Sequence, residues 1–230
     1  MSIEQKPGKK IERAVWRGTG VLIFGDSIVW GAWDSEGGWV TRMKKYTDKQ
    51  AIDNQMENYD TIYPLGISGD NTDDLLQRFE NELTSRLDED SNMVVVIAIG
   101  INDSQFDISN NKNCVPITKF KSNLIKILKT AKDNTKHTVL VGLSPVDDAL
   151  LHPMPWKPTH GYSNSHVEKY NNVIKKIAEE KNIPFIDLYK YFSEKDYKKL
   201  LSDGLHPNTE GHKVIYTKVL AELKSFGILE

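Results

Sequence analysis

The chain of 230 residues has a single cysteine, Cys114, which leaves it neither an intramolecular disulfide framework nor a multi-cysteine zinc site. It lacks a long apolar run; the longest, residues 93–99, falls far short of the roughly 20 residues that span a bilayer. It has no marked excess of either charge. Thirty Lys and Arg stand against 32 Asp and Glu, a formal net charge of −2, so there is no electrostatic footprint for nucleic acid or an anionic membrane surface. No internal repeat or low-complexity linker is visible. Residues 1–10 carry positive charge with no apolar stretch behind them, which predicts no secretory signal and a cytoplasmic protein. What remains is ordinary globular material, 39% apolar and 27% charged, at a length that suits one domain with a sizeable core. Residues 1–17 read as a polar arm ending near Trp16, and residues 18–230 as the domain.

Five short, β-branched, apolar segments predict buried strands at about residues 21–24, 60–64, 93–99, 137–142 and 183–188. The third, Met-Val-Val-Val-Ile-Ala-Ile, is apolar on both faces, as a central strand of a parallel sheet covered twice by helices must be. Amphipathic stretches lie between the strands. Leu75, Leu76, Phe79, Leu83 and Leu87 fall at helical spacing, as do Ile117, Phe120, Leu124, Leu128 and Ala131. Val173, Ile174 and Ile177 follow, then Ile215, Val219, Leu220 and Leu223 behind a cap at Asn208 or Thr209. Trp39, Val40 and Met43 suggest a shorter first helix. Strand and helix alternate throughout, which predicts an α/β doubly wound sheet. Residues 144–165 form the longest segment without periodicity, Pro-rich and holding Trp156.

Ligands of open α/β sheets bind beyond the carboxyl ends of the strands, so the residues just after each strand matter most. They are Gly25-Asp26-Ser27, Gly66-Ile67-Ser68-Gly69-Asp70, Gly100-Ile101-Asn102-Asp103 and, beyond the fifth strand, Asp203-Gly204-Leu205-His206. Acyl transfer needs a hydroxyl, a base to take its proton, and a carboxylate to fix the base's tautomer. Ser27, His206 and Asp203 supply these three. It also needs donors arranged around the developing oxyanion. The backbone N–H groups of Ser27 and Gly69, with the Asn102 side-chain amide, supply those. Pro207 stiffens the turn that carries His206.

Each block alone has a plain explanation. Gly-Asp-Ser is a turn with a helix-capping serine, Gly-x-Asn-Asp a common loop, Gly69 a turn glycine, and Asp-x-x-His a solvated turn. The four together, in order and each after a strand, are hard to produce from turn chemistry. Asp26 suits a helix start better than a triad acid, and Asp103 suits support of the loop that presents Asn102. His152, His160 and His166 have uneven spacing and read as surface histidines rather than metal ligands, while His137 and His212 read as structural. Cys114 sits in a polar loop with no base nearby, which argues against a nucleophile. Trp30, Trp33 and Trp156 are candidates for the wall of a substrate pocket, with core packing or an ordinary loop as the competing roles.

These blocks resemble the SGNH hydrolases, the GDSL-type esterase and lipase family, over almost the whole chain. Gly25-Asp26-Ser27-Ile28 stands where the family name has leucine in the last place, and Asp203-Gly204-Leu205-His206-Pro207 forms the final block. The resemblance implies Ser27 as nucleophile, His206 as base, Asp203 as its orienter, and Gly69 and Asn102 in the oxyanion hole. It also implies a flavodoxin-like three-layer α/β/α sandwich with five parallel strands in the order 2-1-3-4-5. Gly37-Gly38-Trp39 is further similar to small intracellular esterases of this family and to an isoamyl-acetate-hydrolysing branch, without fixing a substrate.

The expected protein is therefore a serine esterase for small-molecule carboxylic esters, of short acyl chain, that works through a covalent acyl-enzyme and requires no metal or organic cofactor. Trp30 and Trp156 are its candidate substrate-binding residues. A carbohydrate O-acetylesterase, an acyltransferase and a non-catalytic binding module on the same fold are the alternatives.

Overall fold

The computed structural model describes residues 18–88 and 91–229; the polar arm expected over residues 1–17 lies outside the described residues. Strand β1 (Thr19–Gly25) leads through Asp26 into a one-turn helix α1 (Ser27–Trp30), and then into α2 (Gly38–Asp53). Strand β2 (Thr61–Gly66), helix α3 (Thr72–Thr84) and strand β3 (Asn92–Ala98) follow. Two short strands, β4 (Phe106–Asp107) and β5 (Lys112–Asn113), precede α4 (Ile117–Asn134) and β6 (His137–Val141). Next come α5 (Asp148–Leu151), β7 (His160–Gly161), α6 (Asn164–Lys181) and β8 (Phe185–Ile186). The chain closes with α7 (Leu188–Ser193), a 3-10 turn at Tyr197–Leu200, and α8 (Thr209–Ser225).

Five strands form one parallel sheet in the order β2-β1-β3-β6-β8, the 2-1-3-4-5 arrangement expected from the resemblance. Alternation along the central strands sorts their side chains onto two cores. Leu22 and Phe24 of β1 join Val95 and Ile97 of β3 under α3, α4 and α6. Val21 and Ile23 join Val94 and Val96 under α2 and α8. The two-residue period of a strand thus becomes the two interior interfaces of a three-layer sandwich. No helix among the described residues is long and apolar enough to cross a membrane.

The helix starts follow local chemistry. Asn71 and Asp74 form a reciprocal capping box at the head of α3, and Asn208 accepts the Gly211 N–H at the head of α8. Helix α2 is longer than the Trp39–Met43 pattern suggests. Its second half is rich in Lys and Asp, and only Thr47 and Ala51 are buried there, so the apolar period fades while the helix continues. Strand β8 is shorter than expected, because Leu188 already opens α7. Leu87 lies beyond the end of α3 yet still rests against the core.

The aperiodic 144–165 segment is ordered by a second, small antiparallel sheet in the order β5-β4-β7. That sheet joins the loop after β3 to the connection after β6, and it sits at the strand-end rim where the sequence blocks gather.

Candidate active site

Ser27 is the first residue of α1 and is 4% exposed. Asp26 caps that helix, its Oδ1 accepting the Ile28 N–H at 2.9 Å. Burial pushes the Asp26 carboxyl up to about 7, against the opposing pull of that backbone N–H and of His206. Helix α1 lies close over the end of β2, since a Cβ on Gly66 would come within 2.4 Å of the Trp30 nitrogen. The Gly25 carbonyl accepts from the Ile67 N–H and from Arg78 Nη2, each at 3.1 Å, which ties the strand end before Ser27 to the second block.

The Ser27 Oγ lies 3.0 Å from His206 Nε2, and His206 Nδ1 lies 2.8 Å from Asp203 Oδ2. The turn that carries His206 is closed by a bridge between Leu201 and Pro207 and by Ser202 N–H donating to the His206 carbonyl at 2.8 Å. Asp203 Oδ1 accepts the Leu205 and His206 backbone N–H groups at 2.9 and 2.8 Å. Burial pushes the Asp203 carboxyl up, but the His206 side chain and these backbone donors outweigh it and hold the group down at about 2. An ionised Asp203 takes the Nδ1 proton side of the imidazole, which leaves the Nε2 lone pair toward the serine hydroxyl.

Trp33 completes this carboxylate. Its indole Nε1 is 2.9 Å from Asp203 Oδ2 and 3.0 Å from His206 Nδ1. With Nδ1 protonated, two N–H groups cannot bond each other, so the indole donates to Asp203. Its ring stands edge-on to the imidazole, with centroids 5.8 Å apart, and the residue is 61% exposed. Core packing is thus not its role.

Gly69 has φ +88°, a left-handed conformation that suits glycine, and a Cβ built there would meet nothing within 4 Å. The Asn102 amide is held at both ends: Nδ2 donates to the Asp70 carbonyl at 2.8 Å, and Oδ1 accepts the Tyr162 hydroxyl at 3.0 Å. Beneath them Asp103 accepts the Thr72 N–H with both oxygens, at 3.1 and 3.0 Å, which fastens the Asn102 loop to the head of α3. Burial pushes the Asp103 carboxyl up to about 6 despite those bonds. This is the loop-supporting place the sequence suggested for it.

Trp30 and Trp156 are 58% and 54% exposed and stand outside this hydrogen-bonded set. His137 is exposed at the start of β6, and buried His212 lies with Nε2 3.0 Å from the Ala32 carbonyl. His152 is exposed, His160 and His166 are half-buried, and no three potential ligand side chains gather among the described residues. Cys114 is exposed, its thiol 3.5 Å from Gln105 Oε1. Sequence reasoning missed Tyr162, Thr72, Arg78 and the carboxylate contact of Trp33. Tyr162 lies in an aperiodic segment and Trp33 in a turn at φ +64°, so neither carries a pattern. Two clefts, of about 590 and 700 Å³, have linings that include none of Ser27, Asp203 and His206. A void of about 30 Å³ lies between Asp26 and core residues such as Trp39, Val141 and Ile215, and Ser27 does not line it.

Residues 23–214 match the GDSL-like lipase/acylhydrolase family. The chain belongs to that family. It is therefore an ester hydrolase by descent, and it resembles individual members at low identity. It is 27% identical over 169 residues to the isoamyl acetate-hydrolyzing esterase of Saccharomyces cerevisiae, covering 66% of this chain and 70% of the yeast protein. It is 28% identical over 165 residues to an acetylxylan esterase of Geobacillus stearothermophilus, covering 69% of each. A lipase/acylhydrolase from Enterococcus faecalis superposes with a TM-score of 0.67 at 22% identity, over 90% of this chain and 96% of that one, a likeness of fold.

Proposed function

We propose that this family member is a serine esterase for carboxylic esters of short acyl chain, carried by one domain over residues 18–230. The observation that carries the reading is the unbroken contact from Ser27 Oγ to His206 Nε2 and from His206 Nδ1 to Asp203. Ser27 Oγ attacks the ester carbonyl as its proton passes to His206 Nε2, forming a tetrahedral adduct. The adduct's oxyanion is met by the Ser27 and Gly69 N–H groups and by the Asn102 Nδ2–H that does not bond Asp70. Collapse breaks the bond to the alkoxy oxygen, which takes the proton back from His206 and leaves as the alcohol. Water, deprotonated by His206, then attacks the acyl-serine and releases the acid with Ser27 restored. Each step uses only this chain's residues, the ester and water.

Short acyl chains are favoured because the site lies on the strand-end rim, and the clefts of about 590 and 700 Å³ are lined by other residues. Hydrolysis of nitrophenyl acetate, butyrate and octanoate tests this, with the two shorter esters expected to turn over faster. Ser27→Ala is expected to lower kcat by about 10⁴-fold or more, and a Ser27→Ala enzyme as active as the wild type would overturn the mechanism. A cytoplasmic location is part of the proposal and is checked by fractionation of cells expressing the full chain.

A second reading, a sugar O-acetylesterase, is favoured by the exposed indole face of Trp33 beside His206, a flat surface that suits a sugar ring. Release of acetate from acetylated xylose, but not from nitrophenyl esters, would select it.

A further inference from the structure

An asparagine amide serves an oxyanion only if its NH₂ end faces the site, and the two ends are nearly identical in shape. In this protein a part-buried chain of donors meets that amide. Gln105 Nε2 donates to the Tyr162 hydroxyl oxygen at 2.9 Å. With that lone pair occupied, the phenol's own O–H goes to the next acceptor, Asn102 Oδ1, at 3.0 Å. Tyr162 is 1% exposed, and burial pushes its phenol well above the ordinary range, so the hydroxyl stays protonated and remains a donor. At the other end, the Asp70 carbonyl accepts only from an NH₂ group. A reversed amide would set Oδ1 against that carbonyl oxygen and NH₂ against the phenol proton, losing both bonds and gaining two repulsions.

The fold explains why Tyr162 is there. Gly161 of β7 pairs with Phe106 of β4, one residue from Gln105, and the Tyr162 N–H donates to the Leu151 carbonyl at 2.9 Å. The small antiparallel sheet therefore connects the aperiodic segment directly to the amide.

We propose that Tyr162 is a positioning residue for the reaction described above: its hydroxyl fixes which end of the Asn102 amide faces Ser27, and Gln105 fixes the hydroxyl. The inference rests on the esterase reading, since it assigns a task to Asn102 within that mechanism. It makes Tyr162 neither an acid nor a base, and it gives the small sheet a task in the chemistry.

The test is a double-mutant cycle on nitrophenyl acetate hydrolysis, with folding followed by thermal unfolding. Tyr162→Phe is expected to lower kcat about 10-fold with KM changed less than about 2-fold, the mark of a group felt in the transition state. In an Asn102→Ala background the same substitution is expected to cause no further loss, because there is no amide left to orient. Should Tyr162→Phe fail to fold, Gln105→Leu reads the same coupling, with a smaller loss of kcat that also vanishes in Asn102→Ala. An unchanged kcat in a folded Tyr162→Phe enzyme, or an equal loss in both backgrounds, overturns the inference. Ser27→Ala run alongside separates the two levels. If it stays active, the esterase mechanism and this inference both fall; if it is inactive while the cycle is additive, only the role of Tyr162 falls.

Discussion

Four N–H groups converge on the two oxygens of Asp203, from Leu205, the His206 backbone, the His206 ring and the Trp33 indole. Each makes protonation of the carboxylate less favourable and fixes the plane in which it meets the imidazole. Trp33→Phe removes one of them at a solvent-exposed position. It is expected to lower kcat about 3- to 10-fold while leaving the unfolding temperature nearly unchanged, as read by esterase kinetics and thermal melts. Asp26 presents the opposite case. Its carboxyl is raised in the folded protein from 3.8 to about 7, so the native state holds the proton more tightly than the unfolded chain does. That contribution to stability is complete below about pH 4 and is lost as the pH climbs toward 7. Asp203 runs the other way, stabilising above 3.8 and losing its effect as the pH falls toward 2. Asp26→Asn keeps a cap acceptor for the Ile28 N–H without the titration. Urea unfolding at pH 5 and pH 8 is expected to show wild type losing on the order of a few kcal/mol between the two. The variant should lose clearly less, with Asp103 supplying the remaining slope.

Elements whose side chains obey one period were legible, and those held by a neighbour were not. Strands β1 and β3 could be placed because residues 21–24 and 93–97 face one core or the other, which leaves an uninterrupted apolar run. Leu22 belongs to the layer under α3, and Leu22→Ala is expected to cost about 2–5 kcal/mol in urea unfolding. Strand β8 and the later half of α2 blurred, since few of their residues are buried and the pattern thins. Strands β4, β5 and β7 were invisible, because two residues cannot show a period and their pairing spans the chain from Phe106 to Gly161. The same division holds at the site. Ser27, Gly69, Asn102, Asp203 and His206 stand beyond strand ends, where topology says to look. Tyr162, Arg78 and Thr72 reach the rim sideways from a loop and a helix, by contacts that no local spacing announces.

Across the molecule, the hydroxyl of Ser27 and the ring of His206 are separated by 179 positions in sequence and by 3.0 Å in space. All five strands of the main sheet lie between or beside them in the chain, so their meeting is among the longest-range contacts the fold makes. Such contacts carry the greatest loop-closure cost and form late. On dilution from denaturant, labelling of Ser27 by a fluorophosphonate reagent is therefore expected to lag the return of helical circular dichroism and to coincide with the native tryptophan signal. On the proposed mechanism, a chain still emerging from the ribosome carries Ser27 as a plain alcohol, and arming waits for the turn at 203–206 to dock. On that mechanism folding and activation are one event, and acyl esters never meet a half-built hydrolase.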